Sequence, residues 1–146
     1  MNDAATPTTS TRRAFLWPVR VYYEDTDAAG IVYHANYLRF MERARTEWLR
    51  ARGFEQDALL RDHGVVFVIT RSTLAFVRAA RFNDELVVRS TLGSLRGASI
   101  EFMQTITDRL DRTLCTARNV VACVASASLQ PRRIPAHMMR IFKGGD

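Results

Sequence analysis

Apolar positions change their spacing along the chain, and each change marks a different kind of element. Trp17 to Glu24 is rich in valine and tyrosine and predicts a first strand. Asp25 to Gly30 is small and acidic and predicts a loop. From about Ala35 to Arg52 the spacing becomes helical. At about 100° per residue, Tyr37, Phe40, Met41, Ala44, Trp48 and Ala51 share an arc of roughly 100°. Arg39, Glu42, Arg43, Glu47 and Arg50 fall outside it. Gly53 follows as a C′ residue. Gln56 to Asp62 predicts a second, shorter helix.

Beyond His63 and Gly64 the texture is that of strands. Val65 to Val77 is β-branched and apolar, and Glu85 to Leu92 is a second run. Gly93 to Gly97 predicts a turn. Ala98 to Thr107 then alternates, with Ile100, Phe102 and Ile106 on one face and Ser99, Glu101, Thr105 and Thr107 on the other. After a turn at Asp108 to Arg112, Thr113 to Leu129 forms a last apolar run. It is far longer than the usual strand of about 5–6 residues and is expected to bend or bulge before Pro131 and Pro135 end it. The order is strand, long helix, four strands. It predicts an α+β domain in which one curved antiparallel sheet of about five strands covers the helix. No internal repeat divides the chain, so residues 14–146 are expected to form one domain behind a disordered tail, 1–13, that is polar and lacks a signal peptide's apolar core.

Composition narrows the function classes. The 146 residues are 47% hydrophobic and 25% charged, as in a globular protein that buries one core without staples. Nothing approaches the ~18 apolar residues of a membrane span. Of the 21 basic residues all but Lys143 are arginine, and the formal net charge is +6. Arginine forks suit phosphate, so a polyanionic partner competes with simple compositional bias. The bases are scattered, without a zinc motif, an aromatic RNA signature or a recognition helix, which argues against nucleic acid. Cys115 and Cys123 lie too far apart in one strand to bond, and the simplest compartment for two such thiols is the cytoplasm. His63 and His137 have no partners at metal-ligand spacing, and no metal is expected.

The chemistry concentrates in the loop before the long helix, where Glu24, Asp25 and Asp27 precede Gly30. A calcium loop opens this way, but its fifth position is Ala29 and its twelfth Asn36, where acids or an amide and a glutamate belong. Helix capping explains one acid more easily than three. The third reading is a carboxylate that attacks, or activates water, beside backbone N–H groups that stabilise an oxyanion at the helix start.

Arg20-Val21, Thr26-Asp27, Gly30-Ile31-Val32, His34 and Tyr37 form a nine-position spaced motif. It resembles the signature of the 4-hydroxybenzoyl-CoA thioesterase family. The flanks Val19 to Asp27 and Glu42 to Glu47 resemble the branch associated with the Tol-Pal envelope system. The similarity runs from about Phe15 to Lys143 and includes Arg96 to Ser99 and Pro131-Arg132. It implies the hot-dog fold, Asp27 as the catalytic carboxylate, and the His34 N–H as the group that polarises a thioester carbonyl. The His34 side chain is also implied in the site. Tyr23, Gly30, Val32 and Tyr33 are candidates to border the substrate, and Arg96 and Ser99 resemble positions near the CoA phosphates. Arg132, Arg133 and Lys143 could add positive potential there. Tyr37 heads the apolar stripe and is expected in the core, and Asp25 is expected to cap the loop.

This chemistry needs few groups. A thiolate with a pKa near 8.5 leaves readily, so one carboxylate, one oxyanion donor and a water suffice. That fits a chain with no nucleophile elbow. Asp27 would form an anhydride or activate water, and the sequence leaves both open. The expected reaction is hydrolysis of acyl-CoA without a cofactor, CoA being part of the substrate. An acyl carrier protein is an alternative thioester donor. Rival readings are a hydratase, disfavoured by the seven-residue step from Asp27 to His34, and a non-hydrolytic acyl-thioester binding module. A lone sheet over one helix leaves edges exposed, and with the resemblance this predicts a homodimer or homotetramer with sites near subunit interfaces. Peripheral attachment to the inner membrane face is compatible with the charge.

Overall fold

The computed structural model describes residues 13–144, so the expectation of a disordered tail lies, except for Arg13, outside the described residues. The elements run β1 (Phe15–Arg20), a 3₁₀ turn (Tyr23–Asp25), α1 (Asn36–Ala51), α2 (Gln56–His63), β2 (Val65–Phe76), β3 (Glu85–Leu95), β4 (Ser99–Thr107), β5 (Thr113–Ala125) and α3 (Ala136–Phe142). All five strands belong to one antiparallel sheet in the order β1-β3-β4-β5-β2, and α1 packs on one face. This is the α+β arrangement of one sheet and one long helix expected from the hydrophobic pattern.

Several boundaries differ from that expectation. The first strand starts and stops earlier, because Pro18 lies within it: β1 is a sheet edge, where proline's missing N–H costs no ladder bond. The third strand runs through Gly93 to Leu95, and its pairing with β4 shifts register between Leu92 and Leu95. The last run ends at Ala125, four residues early, and Leu129 beyond it has φ of 59°. The bulge expected in that long run sits instead in its partner β2, between Ile69 and Arg71. There Thr70 is the extra residue. It lets Phe67 and Ile69 before it, and Ser72, Leu74 and Phe76 after it, all face the helix despite the two-residue period of a strand. The sequence reading missed α3, whose Met138 and Phe142 are buried against Trp48 and Phe54.

Helix α1 buries Tyr37, Phe40, Met41, Ala44, Trp48 and Leu49, while Ala51 at the end of the predicted stripe is exposed. Gly53 stops the helix with φ of +87°, and the Phe54 N–H turns back to the Leu49 carbonyl. The core falls into two apolar halves. One gathers Val21, Val32, Tyr37, Phe40, Leu86 and Ile106, and the other Trp48, Leu49, Val65, Phe102, Met138 and Phe142.

Between the halves runs a belt of buried polar side chains, absent from the sequence reading. Gln104 on β4 is saturated. Its Nε2 donates to the Met41 carbonyl (3.1 Å) and to Ser90 Oγ (3.0 Å), and its Oε1 accepts from Arg45 Nη1 (2.9 Å) and Asn119 Nδ2 (2.9 Å). Asn119 Oδ1 accepts from Ser72 Oγ at 2.7 Å. The belt crosses four strands and ties them to the middle of α1.

Two expected outcomes follow from this packing. Gln104→Leu keeps the volume but strands the partners of four hydrogen bonds. It is expected to lower unfolding stability by about 3 kcal/mol in urea titration. Cys115 and Cys123 are buried and unbonded, and burial pushes the Cys115 thiol up to about 11, leaving little thiolate at neutral pH. Native protein should therefore give almost no colour with a thiol reagent, and two equivalents after denaturation.

Candidate active site at the start of α1

The loop between β1 and α1 closes on itself as a small hairpin. Thr26 bridges Val32, the Asp27 N–H donates to the Ile31 carbonyl (2.9 Å), and the Gly30 N–H returns to the Asp27 carbonyl (2.9 Å). Gly30 takes φ of +77°, which a side chain would resist, so glycine is required at the tip. The hairpin is tied to the segment after β2, where Ile31 bridges Arg81 and the Val32 N–H donates to the Ala80 carbonyl (2.8 Å). The Val32 side chain, a candidate to border the substrate, is buried in the core and supports the loop from beneath.

The acids of this loop do different jobs. Asp25 is buried and holds the loop against the helix, as expected of a capping residue: Oδ2 accepts the Tyr22 N–H and Oδ1 accepts Asn36 Nδ2, both at 2.8 Å. Its carbonyl also accepts the Tyr33 N–H. Asp27 is exposed. Its Oδ1 accepts the Ala29 N–H at 2.8 Å in a turn of its own, and Oδ2 accepts nothing among the described residues. Glu24 is exposed in the 3₁₀ turn.

His34 occupies the turn before Asn36. Its backbone N–H has no acceptor among the described residues, whereas the neighbouring Tyr33 and Asn36 N–H groups are both bonded. Such a free donor at a helix start points out of the backbone toward whatever binds there. The imidazole meets Tyr33 at a tilt, 4.6 Å away, and Phe76 edge to face, 6.2 Å away. Phe76 also packs 5.8 Å from Tyr37, whose hydroxyl accepts the Ala80 N–H (3.1 Å) and whose pKa is raised by burial. Tyr37 is therefore core, as expected. Tyr23 is 79% exposed and meets Phe82 edge to face at 5.1 Å.

One chain thus gathers Asp27, Gly30, His34 and Tyr33 at one end of the sheet, with Tyr23 beside the loop. It does not bring Arg96 and Ser99 to them. Those residues turn from β3 into β4, with the Arg96 N–H on the Ser99 carbonyl (2.9 Å), at the far end of strands whose near ends carry Glu85 and Thr107. The sequence reading missed Phe76 and Phe82. Phe76 was hidden because the bulge at Thr70 breaks the alternation that would have placed it on the helix face.

The same architecture recurs in known proteins. The Thioesterase-like superfamily matches residues 21–142. The chain is 44% identical to the acyl-CoA thioester hydrolase YbgC of Escherichia coli O157:H7 over 129 residues, which is 88% of this chain and 96% of that protein. It is 42% identical to the acyl-CoA thioesterase YbgC of Haemophilus influenzae, over 88% of this chain and 93% of that one. The crystal structure of a probable thioesterase from Bartonella henselae superposes with a TM-score of 0.80 at 34% identity, covering 84% of this chain and all of the other. A hot-dog sheet over one helix and close similarity along nearly the whole length lead to one conclusion: the chain belongs to the thioesterase-like superfamily and groups with its acyl-CoA thioester hydrolases.

Proposed function

We propose that the chain hydrolyses acyl-CoA to a free acid and CoA, with Asp27 as the catalytic carboxylate and the His34 backbone N–H as the donor to the thioester oxygen. The observation that supports this most directly is the pairing of an uncommitted Asp27 Oδ2 with an uncommitted N–H at the start of α1, joined by one short loop. As the carbonyl carbon becomes tetrahedral, its oxygen gains charge. A fixed N–H at the positive end of a helix stabilises that charge more than the ground-state carbonyl. Asp27 either attacks the carbon, giving an anhydride that water opens, or takes a proton from an attacking water. In both routes the thiolate leaves without a strong general acid. The exposed rings of Tyr33 and Phe76 border the His34 imidazole and offer a wall to the acyl group.

A second copy of the chain completes this reading. Edge strand β1 is blunted by Pro18, but β2 is a twelve-residue edge with no proline and with Ile69 and Phe76 about half exposed. Antiparallel pairing of two β2 strands would set the Asp27 end of one sheet beside the Arg96 and Ser99 end of the other. That is the arrangement by which those two residues could meet CoA phosphates, and it supports a homodimer or a tetramer built from dimers. No helix among the described residues is long and apolar enough to cross a membrane. On this reading the enzyme works in the cytoplasm, with contact at an anionic membrane face limited to what its +6 charge attracts. An acyl carrier protein is the alternative donor of the acyl group.

Asp27→Asn is the decisive variant. Asparagine still accepts the Ala29 N–H, so the melting temperature should not move. Free-thiol release from a panel of acyl-CoA substrates should fall by about a thousandfold. Full activity in Asp27→Asn would overturn the assignment. Light scattering should give twice the 16.6 kDa of the chain or a multiple of that. A monomer at all concentrations would exclude the shared site.

A further inference from the structure

Arg45 is a buried cation without a carboxylate. It is 9% exposed, and no acid lies within ion-pair distance of it among the described residues. Its single hydrogen bond, Nη1 to Gln104 Oε1, goes to a neutral amide already shared with Asn119. Burying a guanidinium is costly, and desolvation pulls its pKa down, against the opposing pull of the nearby Glu42 carboxylate. Its side chain lines a cavity of about 110 Å3 between α1 and the inner face of the sheet. Phe67, Ile69 and Phe102 line one side of that cavity, and Glu42, Arg45 and Thr46 the other.

The helix that starts at the Asp27 loop also carries one wall of the cavity. Leu38, Glu42, Arg45 and Leu49 recur at four- and three-residue steps, so they form one stripe on the flank of α1 beside its buried face. Strand β2 runs alongside. Phe76 meets His34 and Tyr37 at one end, and Ile69 and Phe67 reach the cavity at the other. From His34 to Arg45 is eleven residues, or about 16 Å along the axis, which an acyl chain on the order of ten carbons spans, since the arginine leans back toward the helix start.

Resting on the thioesterase reading above, we propose that Arg45 and Glu42 form a specificity subsite for a hydroxyl group at the distal end of a medium-length acyl chain. The two charges fix the class of group. A hydroxyl accepts from the Arg45 guanidinium and donates to the Glu42 carboxylate, whose Oε1 is held by Thr46 Oγ1 at 2.8 Å. A methyl end satisfies neither. A carboxylate end satisfies Arg45 but faces Glu42 at like charge. Phe67, Ile69 and Phe102 on the facing side offer a distal group no hydrogen bond.

The test compares decanoyl-CoA, 10-hydroxydecanoyl-CoA and the CoA monothioester of decanedioic acid in the free-thiol assay. The same end groups are then placed on octanoyl and dodecanoyl chains. Wild-type kcat/KM should favour the hydroxylated chain over the methyl-ended one by about tenfold or more at one of these lengths. In Arg45→Met and in Glu42→Gln that ratio should collapse toward one. Glu42 is exposed, so its variant keeps the test valid if Arg45→Met does not fold. Equal or reversed preference in the wild type overturns the subsite while leaving the thioesterase reading intact, and so does an unchanged ratio in a folded variant. A preference for the dicarboxylate overturns the hydroxyl assignment. Failure to release thiol from any acyl-CoA overturns both readings.

Discussion

A single saturated amide organises this molecule. Gln104 uses both donors and both acceptor lone pairs, and its partners lie on α1 and on the two strands that flank β4. Apolar packing alone is tolerant of sliding, because one methyl contact resembles another. Hydrogen bonds in a low-dielectric interior are not tolerant of it. The belt therefore fixes the axial position of α1 over the sheet. The position of α1 in turn fixes where its first N–H groups lie relative to the Asp27 hairpin, and where Arg45 enters the groove. Stability, the geometry of the candidate site and the place of Arg45 beside its cavity all depend on the same register.

The loop illustrates how three similar residues are made different by their surroundings. Asp25 is locked by two donors and buried, and it serves the backbone. Asp27, two residues on, has one oxygen held by its own turn and one uncommitted. Glu24 faces solvent. Rigid positioning by one acid makes the other available, since a carboxylate is useful in catalysis only when its orientation is set before the substrate arrives.

Much of this was legible in the sequence, for reasons that can be named. The α1 stripe was readable because a sixteen-residue helix repeats its period several times. The spaced motif from Arg20 to Tyr37 was readable because a tight hairpin and a helix start each demand particular residues. The ends of β1 and β5 were misplaced because edge position and a positive φ at Leu129 are tertiary facts. Helix α3 was missed because seven residues give too little period to detect. Arg45 was left out of the buried stripe, although it stands only about 40° round the helix from Met41. A charged residue that close to the apolar arc is the signal that would have marked it. The polar belt was invisible for a related reason: Ser90, Gln104 and Asn119 sit at inward positions of their strands, but their mutual pairing depends on register.

The extra residue at Thr70 has a further meaning. Because β2 has neighbours on one side only, it can absorb one additional residue without disturbing a second ladder. On a central strand the same insertion would have to be accommodated twice. The edge is thus where this architecture can change length cheaply, and a change of one residue there does not simply shift the lining of the groove. It exchanges inward side chains for outward ones along half the strand. The groove in such a fold can diverge in steps, through insertions and deletions at one edge, while the Asp27 hairpin keeps its own hydrogen bonds.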